Sequence, residues 1–407
     1  MKIRAITAFI EPGWPLEPAR VETAGKAMES IRDALEAAGY EIQTTRLATP
    51  PPAEGSNSVP PEDRSEFAQR LEAEAFVHGF DYAAIGPALP DEPEGFQVIP
   101  EILAATENVF TSALIADAET GLSLVAARKA ADVIVRNSTV SEDGFANLRF
   151  AALANVGPGG PFFPAAYHQG GPPGFALATE AAEVAVDALR EIPSLATGRR
   201  RMVSMVEAHA TAMARTVEPI ALDHEFRFLG IDFSLAPFPD HLRSVGSALE
   251  SLGLTAFGRP GSVAAAGFLT DCLDRAQFKR TGFCGLFLPV LEDEVLAKRA
   301  AAGEISLTDL LLYASMCGTG LDTIPLPGDT EPEAIAPLLF DLAALALRHN
   351  KPLTARLMPL PGKEVGDEVH FDFPYFADSA VMPLDMHPLK GLFAGSGILD
   401  IGPRRGE

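Results

Sequence analysis

The sequence predicts an α/β protein built on a largely parallel sheet, and three observations lead to this class. Short apolar runs typical of buried strands alternate with helical patterns of about 10–20 residues, which is the rhythm of βαβ units. The chain has 407 residues, of which 47% are hydrophobic and 21% charged, so it is globular and long enough to bury a large core. The rhythm continues on both sides of the proline-rich segment 49–61. We therefore interpret that segment as a surface loop inside a single domain, 1–407.

Apolar runs and helical periodicity locate the elements along the chain. The predicted strands lie at 3–10, 40–47, 81–86, 109–115, 148–156, 228–235, 282–290 and 353–359. The predicted helices lie at 18–38, 62–78, 98–107, 122–135, 175–191, 194–222, 241–252, 262–276, 307–316 and 332–349. We expect the tail, 390–407, to be poorly ordered, as chain ends often are.

The chain is strongly acidic, with 32 lysine and arginine residues against 55 aspartate and glutamate residues and a formal net charge of −23. Such a surface repels phosphate backbones and anionic lipids, so we expect no nucleic-acid and no membrane partner. A small anionic substrate is compatible with this charge, because an arginine inside a pocket outweighs distant charges. The chain start lacks a signal-peptide core, and no apolar stretch approaches about 18 residues. We therefore expect a cytoplasmic protein with a small-molecule substrate, and we leave open whether it forms a homo-oligomer.

Several motifs of well-known chemistries are missing from the sequence. The three cysteines form no C-x-x-C pair, which removes the patterns of a zinc ribbon, an iron–sulfur cluster and a disulfide framework. There is no P-loop, no G-x-G-x-x-G after the first strand, no G-x-S-x-G and no H-E-x-x-H. We therefore expect no nucleotide cofactor. A Mg²⁺ or Ca²⁺ ion held by carboxylates stays open, because such sites have no local spacing rule.

The most distinctive loop begins at Asn155, after a predicted strand that contains Arg149. Arg149 lies in an otherwise apolar run, so its guanidinium needs an anion or a wet cavity. The loop contains His168, a residue type whose pKa of about 6.5 suits proton transfer. We expect the backbone N–H groups of Gly170 and Gly171, near the start of a helix, to bind a carboxylate or phosphate. The alternative is a rigid connection with a surface histidine.

Two further segments place polar groups next to buried elements. On one predicted strand, Asp232 and Ser234 point to the same side, where they need either structural partners or a ligand. The segment 317–329 follows an apolar helix, and we expect it to form a hairpin-like loop that brings Cys317 and Asp322 to a cavity. A buried, inert side chain is the alternative for Cys317.

These segments belong to longer motifs that resemble those of a known family. The motifs are Asn147-Leu-Arg-Phe-Ala-Ala, Pro161-Phe-Phe-Pro-Ala-Ala-Tyr-His168, Gly230-Ile-Asp-Phe-Ser-Leu-Ala-Pro237, Gly285-Leu-Phe-Leu-Pro-Val-Leu-Glu-Asp293, Cys317-Gly-Thr-Gly-Leu-Asp-Thr-Ile-Pro-Leu-Pro-Gly328 and Lys351-Pro-Leu-Thr-Ala-Arg-Leu-Met-Pro359. Together they cover residues 147–384 and resemble domain-of-unknown-function family 711, a prokaryotic family related in fold to pyruvate formate-lyase and ribonucleotide reductase. The resemblance implies a ten-stranded α/β barrel of two half-sheets, with a loop threaded through its centre.

The resemblance also raises the question of radical chemistry. In the radical enzymes with this barrel, a cysteine on the central loop works with a glycyl radical near the C-terminus, and Cys317 resembles that cysteine. The C-terminal segment 392–402 lacks the Arg-Val-x-Gly-Tyr pattern of such a radical site, and no second cysteine is paired with Cys317. We therefore predict that no glycyl radical forms.

The predicted function is a non-radical enzyme that acts on a small anionic metabolite inside an α/β barrel, by acid/base chemistry of the lyase, hydrolase or isomerase type. The predicted catalytic residues are His168, Asp232, Cys317 and Asp322. The predicted substrate-binding residues are Arg149, Asn155, Gly170, Gly171 and Ser234. The alternative is a metabolite-binding regulatory or partner protein without catalysis.

Overall fold

The computed structural model describes residues 1–54, 58–316, 318–385 and 387–403. Its strands are β1 (Lys2–Phe9), β2 (Glu41–Ile42), β3 (Thr45–Ala48), β4 (Tyr82–Ala84), β5 (Val109–Asp117), β6 (Gly121–Ser123), β7 (Phe150–Ala154), β8 (Gly174–Glu180), β9 (Arg227–Asp232), β10 (Gly320–Pro327), β11 (Leu353–Leu360), β12 (Glu368–Val369), β13 (Ser379–Ala380) and β14 (Ile398–Leu399). Its α-helices are α1 (Pro18–Ala37), α2 (Arg64–Val77), α3 (Pro93–Gln97), α4 (Ile99–Ala105), α5 (Leu124–Asn137), α6 (Ala182–Leu189), α7 (Leu195–Asp223), α8 (Val245–Glu250), α9 (Ser262–Arg275), α10 (Glu294–Ala301), α11 (Leu307–Met316) and α12 (Pro332–Arg348).

The strands form a large, mostly parallel sheet surrounded by helices. The order of its main strands is β10-β11-β7-β5-β4-β3-β1-β8-β9. The central strands, from β7 to β1, are parallel to one another. The direction changes twice, because β11 is antiparallel to β7 and β8 is antiparallel to β1. The predicted α/β class with a largely parallel sheet is therefore confirmed.

Beyond β9, backbone pairing continues along an irregular segment, 280–289. Isolated parallel bridges join this segment to neighbouring chain at Ile231–Arg280, Leu235–Leu286 and Pro289–Asp322. The first bridge reaches β9 and the last reaches β10. The prediction of a regular strand at 282–290 is therefore wrong. The segment does pair with both outermost strands of the sheet, but only through isolated bridges.

The predicted helix 175–191 is wrong in its first part, which forms β8, and its helical part is limited to α6. All seven residues of β8 are buried, and the strand lies between β1 and β9. A short apolar run of this kind fits a buried strand as well as a helix, so periodicity could not separate the two. Because a strand follows Gly171, no helix N-terminus lies behind the loop amides that were predicted to bind an anion.

The predicted hairpin-like loop at 317–329 instead contains β10. This strand is buried along its whole length and pairs in parallel with β11. Pro325 and Pro327 concealed it in the sequence, because proline removes a hydrogen-bond donor and argues against a central strand. Asp322 therefore lies on a buried strand, which holds its carboxylate more rigidly than a loop would.

The two faces of the sheet have different surroundings. Side chains of β1 point to both faces of the sheet. Ile6 and Ala8 join the large apolar core formed with the helices, while Ala5 and Phe9 join two smaller clusters on the other face. One of these smaller clusters combines Phe9 with Phe110 and Phe163. The face opposite the helices is thus also covered by chain, and the candidate site lies there.

The described part of the C-terminal tail follows the surface of the fold. Its strand β14 pairs antiparallel with β6, and the Arg128 guanidinium donates hydrogen bonds to the carbonyl groups of Phe393 and Gly395. The poor order predicted for 390–407 stays a prediction, as does the single domain. None of the described helices has the length and apolarity required to cross a membrane.

Candidate functional site

A cavity of about 550 Å³ is lined by residues from strands that lie far apart in the sheet order. Strands β1, β3, β4, β5, β7, β10 and β11 each contribute at least one lining residue. Since β10 and β1 are far apart in the order of strands, the sheet must curve around this space. The volume is in the usual range for pockets that bind small molecules.

The lining is mostly apolar and contains a small set of charged groups. Its aromatic members are Tyr82, Phe110, Phe145, Phe162, Phe163, Phe283, Phe287, Phe373 and Tyr375. Its charged members among the described residues are Arg4, Arg46, Arg149, Arg356, Glu107, Glu292 and Asp322. The buried hydroxyl of Thr319 also lines the cavity and has no hydrogen-bond partner among the residues that the structure describes. An apolar wall with a few convergent polar groups is typical of a small-molecule site.

The loop between β7 and β8 enters the cavity through aromatic residues. Phe162 packs on Phe287 with ring centroids 4.5 Å apart, and Phe163 packs on Phe110 at 5.3 Å. The Thr7 hydroxyl on β1 donates a 2.8 Å hydrogen bond to the backbone carbonyl that precedes this pair. The loop therefore forms part of the cavity wall, and its position is fixed from the sheet.

Ion pairs connect β10 and β11 with β1 along the cavity. Arg356 donates from Nε to Asp322 Oδ1 and from Nη2 to Glu292 Oε1, each at 2.6 Å. The second oxygen of Glu292 lies 3.4 Å from Arg4 Nη1. Burial raises the pKa of Asp322; Arg356 opposes this rise and Glu292 adds to it. Glu292 therefore joins strands that are far apart in the sheet order.

Arg46 on β3 is the exception to this pairing. Its exposed fraction is 9%, and its Nε donates a 2.8 Å hydrogen bond to the neutral hydroxyl of Thr44. Its guanidinium lies 5.7 Å from the ring centre of Tyr82 and 5.1 Å from that of Phe163, within cation–π range. No carboxylate among the described residues forms an ion pair with it. Burial, with a contribution from positive Arg4 and against the opposing effects of Tyr82, Glu292 and Asp81, lowers the pKa of Arg46 to about 10, so it remains charged at neutral pH.

Comparison with known protein families identifies the family of this chain. The family described as Uncharacterised ACR (DUF711) matches residues 1–375. The chain belongs to this family. The match extends the resemblance from the motifs at 147–384 to the N-terminal part of the chain, which contains Arg4 and Arg46.

Relatives of the DUF711 protein occur in both archaea and bacteria. A UPF0210 protein of Pyrobaculum arsenaticum is 31% identical over 386 residues, covering 89% of this chain and 81% of that protein. A UPF0210 protein of Oleidesulfovibrio alaskensis is 30% identical over 366 residues, covering 85% and 80%. A UPF0210 protein of Neisseria meningitidis is 28% identical over 367 residues, covering 86% and 81%.

In this DUF711 protein, Arg149 lines the cavity but its guanidinium is already occupied. It donates hydrogen bonds to the carbonyl oxygens of Leu103 at 2.8 Å, Thr106 at 2.9 Å and Val109 at 3.2 Å. These carbonyls lie at the C-terminal end of α4 and the start of β5, where a basic side chain typically caps the helix. The sequence predicts that the Arg149 guanidinium needs an anion or a wet cavity. In the structure, backbone carbonyl groups are its partners instead.

His168 is separate from the cavity lining. Its ring lies 6.4 Å from that of Phe9, its Nε2 lies 3.4 Å from the carbonyl oxygen of Gly171, and burial lowers its pKa. The backbone N–H of Gly171 donates a 2.5 Å hydrogen bond to Glu11 Oε1. The anion expected at this loop is therefore a carboxylate of the protein itself.

Gly170 and Asn155 also lie elsewhere. Gly170 lines a smaller cavity of about 130 Å³ together with Glu11 and Glu54. The Asn155 side-chain nitrogen lies 3.5 Å from Asn350 Oδ1. Neither residue contributes to the lining of the large cavity.

Asp232 and Ser234 bind structural partners, which was the alternative to a ligand in the interpretation of the sequence. Asp232 is fully buried and accepts hydrogen bonds from the Ser234 hydroxyl at 2.5 Å and from the N–H groups of Phe283 and Cys284 at 2.7 and 2.8 Å. Burial raises its pKa to about 6, against the lowering effect of these bonds. This carboxylate attaches the irregular segment 280–289 to β9. Cys317 lies outside the described residues.

The cavity therefore contains Asp322 and Arg149 from the predicted set, together with three arginines that the sequence analysis missed. Arg4 and Arg356 each lie in an apolar strand run, the signal that singled out Arg149, and this signal would have identified both. Arg46 follows Gln43-Thr44-Thr45 and has no such signal. Among the described residues, no group of three or more His, Cys, Asp or Glu side chains is placed to hold a metal ion.

Proposed function

We propose that this DUF711 protein is a non-radical enzyme that binds a small anionic metabolite in the 550 Å³ cavity and transforms it by acid/base chemistry of the lyase, hydrolase or isomerase type. One observation supports it most strongly: Arg46 is a buried, charged guanidinium in the cavity wall whose hydrogen bond goes to a neutral hydroxyl.

An unpaired charge in this environment is energetically unfavourable. Burying a charge costs several kcal/mol, roughly, unless an opposite charge or hydrogen bonds compensate. Two aromatic rings compensate only in part, since a cation–π contact contributes about 0.5–2 kcal/mol. An anionic ligand on Arg46 would remove this cost, and the stored unfavourable energy would then contribute to affinity. Arg46 replaces Arg149 as the proposed anion anchor, because the Arg149 guanidinium is already held by three carbonyl groups.

Asp322 is the proposed acid/base group. Its carboxyl lines the cavity, and Arg356 holds one oxygen in a fixed orientation. The raised pKa that burial causes brings a carboxyl group closer to neutral pH, where it exchanges protons most efficiently. Glu292, which shares Arg356, is placed to respond electrostatically when Asp322 gains or loses its proton.

We further propose that the sheet closes into the ten-stranded barrel that the pyruvate formate-lyase resemblance implies. Two sets of strands support this closure: β7 to β1 on one side, and β8, β9, the segment 280–289, β10 and β11 on the other. Each set is parallel within itself, and the sets meet antiparallel at β1–β8 and β7–β11. The bridges along 280–289 supply the contacts that would complete the ring.

A second candidate function is ligand binding without catalysis, and one observation favours it. Arg356 engages both Asp322 and Glu292 at 2.6 Å. Carboxylates held this firmly stabilise the cavity even if they transfer no proton. Homo-oligomer formation would be compatible with either function and stays a prediction.

Two measurements test the proposal. The first is mass spectrometry of small molecules that co-purify with wild-type protein, Arg46→Met and Arg20→Met. Arg20 is the control because its side chain is 44% exposed, pairs with Glu17 and lines a separate cavity that contains Gly171 instead of the cavity of Arg46. We expect an anion with the wild-type and Arg20→Met proteins that is depleted from Arg46→Met. Equal recovery from all three would contradict the anion site.

The second measurement separates enzyme from binder. Wild-type protein and Asp322→Asn are incubated with an extract of small metabolites, which is then analysed for consumed and formed compounds. We expect the wild-type protein to consume an anionic compound and form a product, and Asp322→Asn to do so at least about 100-fold more slowly, as is usual for loss of an acid/base group. Capture without any conversion by the wild-type protein would support the second candidate function instead.

A further inference from the structure

We propose that the ligand of the cavity is a monocarboxylate with an apolar body about the size of an aromatic ring, its carboxylate on Arg46 and its body against the phenylalanine wall. This inference rests on the proposed function, because it names the chemical class of the anion that Arg46 binds.

The charge of the cavity favours a single negative charge. Among the described lining residues there is one more positive than negative side chain. Arg356 is paired with Asp322 and Glu292, and Arg4 lies 3.3–3.4 Å from oxygens of Glu180 and Glu292, so these two arginines face three carboxylates and offer no free positive charge. A ligand with two negative charges would place its second charge in a cavity whose wall contains carboxylates and whose other arginines already bind carboxylates or, for Arg149, backbone carbonyl groups.

The geometry around Arg46 favours a planar anion. Tyr82 and Phe163 lie within 6 Å of its guanidinium, and the Thr44 hydroxyl occupies its Nε. These contacts restrict the guanidinium plane and leave its two terminal nitrogens for a ligand. Two parallel N–H donors match the two oxygens of a carboxylate.

The remainder of the wall favours an apolar body. Phe162 and Phe283 both pack on Phe287, at 4.5 and 5.7 Å between ring centres, and Phe110 packs on Phe163. Phenylalanine rings offer no strong hydrogen bonds, so a ligand rich in hydroxyl groups would lose hydration there without replacement. A ring or branched alkyl group would gain apolar contact instead.

The test is calorimetric titration of wild-type protein with four matched probes. They are 3-phenylpropanoate, its uncharged analogue 3-phenylpropanamide, the short acid propanoate, and succinate, which has two charges. We expect 3-phenylpropanoate to bind at least about tenfold more tightly than each of the others, because only it satisfies both Arg46 and the apolar wall. Arg46→Met should weaken it by about 10- to 100-fold, as for the loss of a charged hydrogen-bond pair. Arg46→Lys should retain part of the binding, and Arg20→Met should not change it.

The contrary outcomes separate this inference from the proposed function. If succinate binds more tightly than 3-phenylpropanoate and Arg46→Met abolishes that binding, the monocarboxylate class is wrong while the anion site stands. If 3-phenylpropanoate does not bind, or binds no better than propanoate or the amide, the inference is likewise wrong. If 3-phenylpropanoate binds equally to wild-type, Arg46→Met and Arg46→Lys, Arg46 is not the anchor and both proposals fail. The comparison of probes on the wild-type protein does not depend on the folding of any variant.

Discussion

Replacing Arg149 by methionine tests whether this arginine caps a helix or binds a ligand. In the structure its guanidinium donates to the carbonyl groups of Leu103, Thr106 and Val109. A hydrogen bond from a charged donor contributes about 1.5–3 kcal/mol, but these bonds share one side chain that is only partly buried, and water can reach carbonyls left free. We therefore expect Arg149→Met to lower the free energy of unfolding by about 2–4 kcal/mol.

The measurement is urea-induced unfolding at neutral pH, with Arg136→Met as the matched control. The Arg136 side chain also donates to a backbone carbonyl, that of Gln97 at 3.2 Å, but it is 40% exposed, and its other partner, Asp132, lies 3.9 Å away on the exposed surface. We expect its loss to change the free energy of unfolding by less than about 0.5 kcal/mol. If the two variants unfold alike, the capping role of Arg149 is wrong. If Arg149→Met also loses a co-purifying anion without losing stability, the role expected from the sequence alone is correct.

Four further predictions follow from buried charges, close packing and missing motifs. Arg356→Met removes the ion-pair partner of Asp322 and one of the two arginines near Glu292, so it should lower the free energy of unfolding by about 3–5 kcal/mol at pH 8. The loss should be smaller at pH 5, because burial raises the pKa of Asp322 and its protonation removes the unpaired charge; equal losses in urea at both pH values would contradict this. The pKa of Asp232 is raised from 3.8 to about 6, so its contribution to stability is fully present below the unfolded value of 3.8 and lost as the pH rises through 6; denaturation between pH 4 and pH 7 should show wild-type protein losing about 2 kcal/mol more than Asp232→Asn. Gly282 and Gly303 have φ values of +66° and +68°, but a Cβ at Gly282 would lie 2.1 Å from Asp232 Oδ2 whereas Gly303 has open space; Gly282→Ala should therefore cost at least about 2 kcal/mol more than Gly303→Ala in thermal or urea unfolding. Electron paramagnetic resonance after anaerobic treatment with a radical-generating activase should reveal no glycyl radical, because the C-terminal radical pattern is missing, and a glycine-centred signal would overturn the non-radical assignment.

Local patterns were sufficient wherever an element's own residues decide its conformation. The helix predicted at 194–222 is α7, and the one at 262–276 is α9, each within one residue at both ends. Both have helical periodicity over three or more turns, which a strand cannot accommodate. Strand β11 was predicted equally well, because a run of buried residues bounded by Lys351-Pro352 and Pro361-Gly362 leaves few alternatives.

The candidate site was predicted only in part, since its composition depends on distant partners. Asp322 was identified as a site residue, although on a loop rather than on β10. Arg149 was identified by the correct signal, an arginine in an apolar run, but that signal does not reveal which acceptor the guanidinium finds. Arg46 lies beside threonines and has no such signal in the sequence, and the structure places its guanidinium next to aromatic rings and a hydroxyl instead of a helix end.

The sequence by itself determined the α/β class, the acidic character and the family, because periodicity, composition and long motifs are properties of contiguous chain. The tertiary structure decided whether 174–180 is strand or helix, because only its position between β1 and β9 supplies hydrogen bonds on both sides. It also decided which of the cavity's arginines form ion pairs with the described carboxylates. Arg4 meets Glu292 across 288 residues of sequence and Arg356 meets the same carboxylate across 64. Ionic partners are chosen by proximity in space, and spacing along the chain does not encode that proximity.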